Sequence, residues 1–163
     1  MTYLHNKDII HNDIKPANIT YSPLHGPVLI DFGLATSANE IMMTGGTPWY
    51  VPPDLSVEQQ RVAPGEVWAL GVTMLYVLEK IRLPEKTTKS WLIREVNQGS
   101  DAKEQMMKWL NIVARNRKML NCNDFVEGLV SQMLQPKRKQ RIRFAQIDVA
   151  FEMPQRQLLQ DTS

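Results

Sequence analysis

The sequence predicts a mainly α-helical domain, a helical bundle around one buried helix, with a small β-hairpin. Three observations predict it. The stretch Ala63 to Lys80 is apolar around most of a helical wheel, and a helix apolar on most sides is a buried one. Two more stretches, Asp101 to Leu120 and Asn123 to Gln135, carry apolar residues at helical spacing. Near the N-terminus, Ile19-Thr20-Tyr21 and Val28-Leu29-Ile30 are short apolar runs on either side of Ser22-Pro23-Leu24-His25-Gly26-Pro27. That loop is full of breakers, which suits a hairpin.

Taken in order, Met1 to Lys7 is too short for a free-standing helix. In the central helix, Pro64 suits the first turn and Glu66 the positive end of the dipole. Val67, Leu70, Gly71, Met74, Leu78 and Ile81 form one stripe, and Trp68, Val72, Leu75 and Tyr76 fill much of the rest. Thr87 to Asn97 reads as a further helix with Trp91, Leu92 and Val96 on one side, stopped by Gly99. Met106, Met107, Leu110, Val113 and Ala114 form the apolar stripe of the helix from Asp101 to Leu120. Asn123 or Asp124 caps the next, with Phe125, Leu129, Val130, Met133 and Leu134 inward. A short helix over 143–152 ends at Pro154, and 151–163 is a polar, frayed tail.

Composition narrows the partners. At 163 residues and 43% hydrophobic content the chain suits one domain with a real core. A net charge of +2 selects no partner. The basic run from Pro136 to Arg143 has no interleaved aromatic residue, so it reads as a solvated helix end with one structural arginine, not as a nucleic-acid patch. Val67 to Leu78 is the longest uncharged apolar run and is too short to span a bilayer. No secretory signal is visible, and neither a nucleic-acid nor a membrane partner is expected. The single cysteine, Cys122, excludes an internal disulfide. It fits a reducing, intracellular compartment, cytoplasmic or nuclear.

The chemistry-bearing stretch is His11 to Asn18, HNDIKPAN, together with Asp31-Phe32-Gly33. Asp13 can orient a hydroxyl nucleophile and accept its proton. Lys15 can neutralise charge on a moving phosphoryl group. Asn18 and Asp31 offer hard oxygen atoms suited to Mg²⁺. If the two short strands pair antiparallel, Asn18 enters one strand beside the point where Asp31 leaves the other. The bland alternative is that Asp13, Asn18 and Asp31 cap turns in a helical protein.

HNDIKPAN, then DFG, then GTPWYVPPD from Gly46 to Asp54 stand in an order that resembles the eukaryotic protein kinases. The resemblance covers most of residues 1 to about 150 and is strongest from Tyr3 to Gly71. It implies a protein-kinase-like large lobe over 1–150 and a serine/threonine kinase, moving the γ-phosphate of ATP to a protein serine or threonine hydroxyl. Asp13 would be base or orienter, Lys15 the phosphate clamp, and Asn18 and Asp31 the Mg²⁺ ligands. Thr47 would bond the aspartate and the lysine. Lys15 and Thr47 together point to serine or threonine, not tyrosine, as acceptor. Thr20 would form a polar floor beneath adenine. His11 would stack on Phe32 and carry no proton. Trp49 and Tyr50 read as core more than as substrate contacts.

Several positions depart from the family. Asn12 stands where most relatives have an arginine that grips a phosphorylated residue in the following segment, which here carries Thr36, Ser37, Thr44 and Thr47. An asparagine cannot make that bidentate charged contact. Asp54 stands for the family's glutamate, and its expected partner is Arg141. Glu66 stands for an aspartate that bonds the catalytic-loop backbone. No GxGxxG occurs in these residues, and the strand lysine, helix glutamate and hinge of the small lobe have no counterpart. The sequence therefore reads as a large-lobe fragment with the small lobe absent, inactive alone. Its partners are ATP, Mg²⁺, a protein substrate and a partner chain or N-terminal lobe. The rival is a non-catalytic pseudokinase fragment or protein-binding module from a truncated gene model.

Overall fold

A computed structural model of the chain describes residues 1–38, 45–55, 62–98 and 101–160, with side chains described to residue 152. Thr44 and Gly99 lie outside the described residues. Six helices are described: α1 (Thr2–His5), α2 (Ala63–Val77), α3 (Pro84–Thr87), α4 (Asp101–Lys118), α5 (Phe125–Met133) and α6 (Phe144–Gln160). Two antiparallel pairs accompany them. β1 (Ile9–Ile10) pairs with β4 (Thr36–Ser37). β2 (Ile19–Ser22) pairs with β3 (Gly26–Leu29), with Ile19 opposite Leu29 and Thr20 opposite Val28. Gly26 takes the positive φ of 71° that closes this hairpin.

The expected central helix is central. Val67, Trp68, Ala69, Val72 and Leu75 of α2 are all buried. Val67 joins Leu129, Met133, Phe144 and Ile147 in one cluster. Trp68, Val72 and Leu75 join Trp109, Val113, Val130 and Leu134 in another, so α2 separates and anchors two apolar layers. Its crossing with the end of α5 is close: a Cβ on Gly71 would lie 2.9 Å from the Leu134 side chain. No helix among the described residues is long and apolar enough to cross a membrane.

Four sequence expectations give way. Thr87 to Asn97 is not one helix. The turn begins earlier, with Pro84 in its first position, and Thr88 leaves it at φ −127°, ψ 134°. The chain reaches a separate 3-10 segment at Ile93–Gln98 only after Trp91 has gone under Trp49, ring centroids 6.1 Å apart. Leu92 is half exposed.

In α4 the core stripe is Ala102, Met106, Trp109 and Val113, while Met107 and Ala114 face out. One hydrogen bond settles the helix rotation, from the Trp109 indole N–H to the Trp49 carbonyl at 2.7 Å. Asp124 is the cap of α5, accepting from the Glu127 amide at 2.8 Å, but Phe125 is turned outward edge-on to Phe151. Finally, α6 crosses residue 150 and continues through Pro154 to Gln160. A proline removes one helical hydrogen bond and strains the helix without always ending it.

Candidate active site

Backbone chemistry places the site. Lys15 and Thr47 each precede a proline, and the residue before proline is pushed to extended backbone. Lys15 has φ −160°, ψ 165° and Thr47 φ −97°, ψ 123°, each leading into a short 3-10 turn, Pro16–Asn18 and Pro48–Tyr50. Both side chains thus project from the rim of a turn toward Asp13.

The four groups form one hydrogen-bonded cluster. Thr47 Oγ1 donates to Asp13 Oδ1 at 2.7 Å and accepts from Lys15 Nζ at 2.9 Å. Lys15 Nζ also lies 2.8 Å from Asp13 Oδ2. Asn18 Nδ2 donates to the Asp13 backbone carbonyl at 2.8 Å and to Asp13 Oδ2 at 3.0 Å. Burial pushes the Asp13 carboxyl up, but the bonds from Lys15, Thr47 and Asn18 and the lysine charge outweigh it, holding the pKa below the ordinary value of 3.8.

The hairpin brings Asp31 alongside. Ile30 N donates to the Asn18 carbonyl at 2.9 Å, continuing the β2–β3 ladder to the residue before Asp31. Asp31 has φ 62°, a left-handed conformation that aspartate tolerates, and its carboxylate accepts the Gly33 amide at 3.3 Å. It is exposed. Asn18 spends its amide nitrogen on Asp13, so its Oδ1 is the atom suited to a cation. Among the described residues there is no group of three or more His, Cys, Asp or Glu able to hold a metal. The Asn18 Oδ1 and the Asp31 carboxylate are hard oxygen donors of the kind that Mg²⁺ takes, an ion that usually completes its shell with phosphate and water. Thr20, exposed on β2 opposite Val28, takes no part in the cluster.

His11 is fully buried. Its Nδ1 accepts the Asp13 amide at 3.3 Å, which assigns the ring proton to Nε2 and makes that nitrogen the donor to the Ile30 carbonyl at 3.0 Å. The ring meets Phe32 edge-on at 4.8 Å. His11 thus ties the Asp13 loop to the Asp31 loop, as the resemblance implied. Trp49 and Tyr50 are buried, in agreement with a core role. Burial and the neighbouring Glu85 carboxylate push the Tyr50 hydroxyl well up, so it stays a donor to Glu85.

Two further contacts position the loop: those of Asn12, which sequence reading did not foresee, and that of Glu66 to the loop backbone, where the resemblance had placed it. Asn12, at φ 69°, turns its amide nitrogen to the Leu34 carbonyl at 2.9 Å and Thr36 Oγ1 at 2.8 Å. Sequence reading took this residue only as a lost arginine, although the left-handed preference of asparagine was an available signal. Glu66 accepts the Asn12 amide at 2.8 Å on Oε1 and His5 Nε2 at 2.7 Å on Oε2. The longer side chain reaches the loop and also fixes α1. Beside the site, Ile30 and Phe32 leave 42% and 47% of their surface exposed.

The protein kinase domain family matches residues 1–150. A serine/threonine-protein kinase of Drosophila melanogaster is 43% identical over 84 residues, covering 48% of this chain and 11% of that protein. A serine/threonine-protein kinase of Schizosaccharomyces pombe is 34% identical over 90 residues, 52% of this chain and 25% of that one. A mitogen-activated protein kinase kinase of Aspergillus fumigatus is 38% identical over 85 residues, 48% and 16% respectively. The matched stretch is thus at most a quarter of these relatives' lengths. The loop geometry, the order of the motifs and the extent of the match agree: the chain belongs to the eukaryotic-type protein kinase family.

Proposed function

We propose that residues 1–150 are the large lobe of a serine/threonine protein kinase, with 151–163 outside it. The lobe would serve transfer of the ATP γ-phosphoryl group to a protein serine or threonine hydroxyl. The observation that carries this is the Thr47 hydroxyl bridging Asp13 and Lys15. A bond forms between the acceptor oxygen and the γ-phosphorus, the bond from that phosphorus to the β–γ bridging oxygen breaks, ADP leaves, and the hydroxyl proton goes to Asp13. A carboxylate held below its ordinary pKa is a weak base, so Asp13 chiefly orients the hydroxyl and takes the proton late. Lys15 sets a positive charge beside the transferred group. Asn18 Oδ1 and the Asp31 carboxylate would hold Mg²⁺, which neutralises phosphate charge when bound. Thr20 is the proposed floor under adenine. The single cysteine supports an intracellular setting.

The rival reading is non-catalytic, and it holds if no glycine-rich loop, a motif that residues 1–163 do not contain, covers the phosphates from above. Held from one side, the nucleotide loses the positioning on which phosphoryl transfer depends. The experiment compares the 163-residue chain with a longer protein that carries it behind a glycine-rich lobe. The chain alone is expected to bind ATP·Mg²⁺ no tighter than roughly millimolar, about −4 kcal/mol by isothermal titration, without measurable transfer. The longer protein is expected to transfer label to serine or threonine peptides, and Asp13→Asn to lower that rate by about a hundredfold or more. No transfer by the longer protein would establish the non-catalytic reading, and an unchanged rate in Asp13→Asn would remove Asp13 from the mechanism.

A further inference from the structure

The sequence gives α4 a wider apolar face than the core uses. Its core stripe is Ala102, Met106, Trp109 and Val113. Met107, Leu110 and Ala114 form a second stripe beside it, at helical spacing, and this one lines a cavity of about 620 Å³. Trp68 of α2 and Leu134 after α5 form the opposite wall. That volume lies in the ordinary range for small-molecule sites, and methionines adapt well to flexible apolar ligands. The cavity shares none of its lining with Asp13, Lys15, Asn18, Asp31 or Thr47.

Its charge is one-sided. Lys103, Arg117 and Lys118 line it, and no carboxylate does so among the described residues. Two of the three cations sit together at the C-terminal end of α4. Arg117 is fixed there, its Nε donating to the Ser131 carbonyl at 2.8 Å. From Arg117 back to Met106 the helix runs about 16 Å at 1.5 Å per residue, all of it beside the cavity. Trp68 supplies a third element. It is 3% exposed, and its indole N–H has no acceptor among the described residues. An apolar trough with a cationic end and a wall lacking an acceptor suits a molecule with an apolar tail and an oxygen-rich anionic head.

We propose that this cavity binds a fatty carboxylate, its head at Arg117 and Lys118 and its tail along Met107 and Leu110 toward Met106. The carboxylate meets two cations at the mouth, where attraction is only partly screened. The tail removes from water apolar surface that the fold itself leaves unpaired.

The probe is dodecanoate, titrated calorimetrically into the 163-residue chain below its micellar concentration. One saturable site is expected, with dodecanol at least about tenfold weaker because it lacks the charge. Lys118→Glu is expected to weaken dodecanoate by a similar factor. Ala114→Trp, at an exposed position that tolerates size, is expected to abolish binding by filling the trough. Ile30→Glu, on the separate apolar surface beside the active site, should leave it unchanged. The proposal is overturned if dodecanol binds equally well, if Ala114→Trp retains the site, or if Ile30→Glu removes it. It is also overturned if anionic phospholipid vesicles or an acidic amphipathic peptide bind where dodecanoate does not.

Discussion

Replacing Arg141 by alanine tests how the lower half of the domain is held together. The Arg141 side chain is 0% exposed and its Asp54 partner 14%. The guanidinium donates to Asp54 Oδ1, to the Pro64 carbonyl at 2.7 Å, to the Gln135 carbonyl at 3.0 Å and to the Pro136 carbonyl at 3.3 Å. Its carbon also lies 5.3 Å from the centroid of the Trp68 ring. One side chain therefore joins the segment before α2, the first turn of α2 and the chain leaving α5. Alanine leaves a carboxylate with little water and several carbonyls without their donor. Breaking such a buried pair from one side costs about 3–5 kcal/mol. For a chain of this size that is a fall in melting temperature of roughly 6–20 °C. Arg141→Lys keeps the charge but cannot reproduce the planar fork, so it is expected to recover only part of the loss. Denaturant unfolding with an unchanged slope is the assay. If Arg141→Ala moves stability by less than about 0.5 kcal/mol, the typical effect of an ordinary surface substitution, then Asp54 is simply solvated and the bonds around it do not hold the fold.

Three further outcomes follow from single contacts. Gly71→Ala is expected to destabilise by about 1–3 kcal/mol, because its Cβ would come within 2.9 Å of Leu134; calorimetric melting checks it, and an unchanged melting point means that α5 yields freely. Asp13 has a folded pKa below its unfolded value, so its bonds to Lys15, Thr47 and Asn18 contribute stability above the ordinary carboxylate range. That contribution is lost as pH falls through the folded value. Unfolding free energies measured from pH 6 down to pH 2 should show this acid limb in the native chain and lack it in Asp13→Asn, and identical curves would refute it. In a longer protein with a glycine-rich lobe, complete phosphatase treatment should leave the transfer rate unchanged, since Asn12 already holds Leu34 and Thr36 without a phosphate; a large loss of rate would contradict this.

How much of this was legible depended on how local the cause was. The hairpin register followed from two apolar runs and a breaker loop, and it placed Asn18 beside Asp31 as expected. The Asp13, Lys15 and Thr47 cluster was legible only through motif order and the family resemblance it carried, and the extended backbone before Pro16 and Pro48 is the physical reason that it forms. The rotation of α4 was not legible. Met107 and Ala114 fit helical periodicity as well as Trp109 does, and the choice was made by a tertiary bond to the Trp49 carbonyl. The break between Thr87 and Ile93 likewise depends on Trp91 reaching Trp49. Periodicity cannot see a hydrogen bond or ring contact with a residue far away in sequence.

The departures from family pattern share one physical logic. Glu66 is a methylene longer than the usual aspartate, and the extra length lets one carboxylate serve both the Asn12 amide and His5. Asp54 is a methylene shorter than the usual glutamate, yet three backbone carbonyls aim the Arg141 guanidinium at it, so the ion pair survives. Asn12 lacks the charge of arginine but takes a left-handed turn that points its amide at Leu34 and Thr36. For Asp54 and Asn12, an orientation fixed by backbone geometry makes up for lost reach or lost charge. The Asn12 bonds are neutral, so they depend little on salt and need no added phosphate, whereas an arginine clamp depends on both. The first part of the segment that follows Asp31-Phe32-Gly33 is thereby held by the chain's own backbone, with β1 and β4 paired and Asn12 closing the link between them.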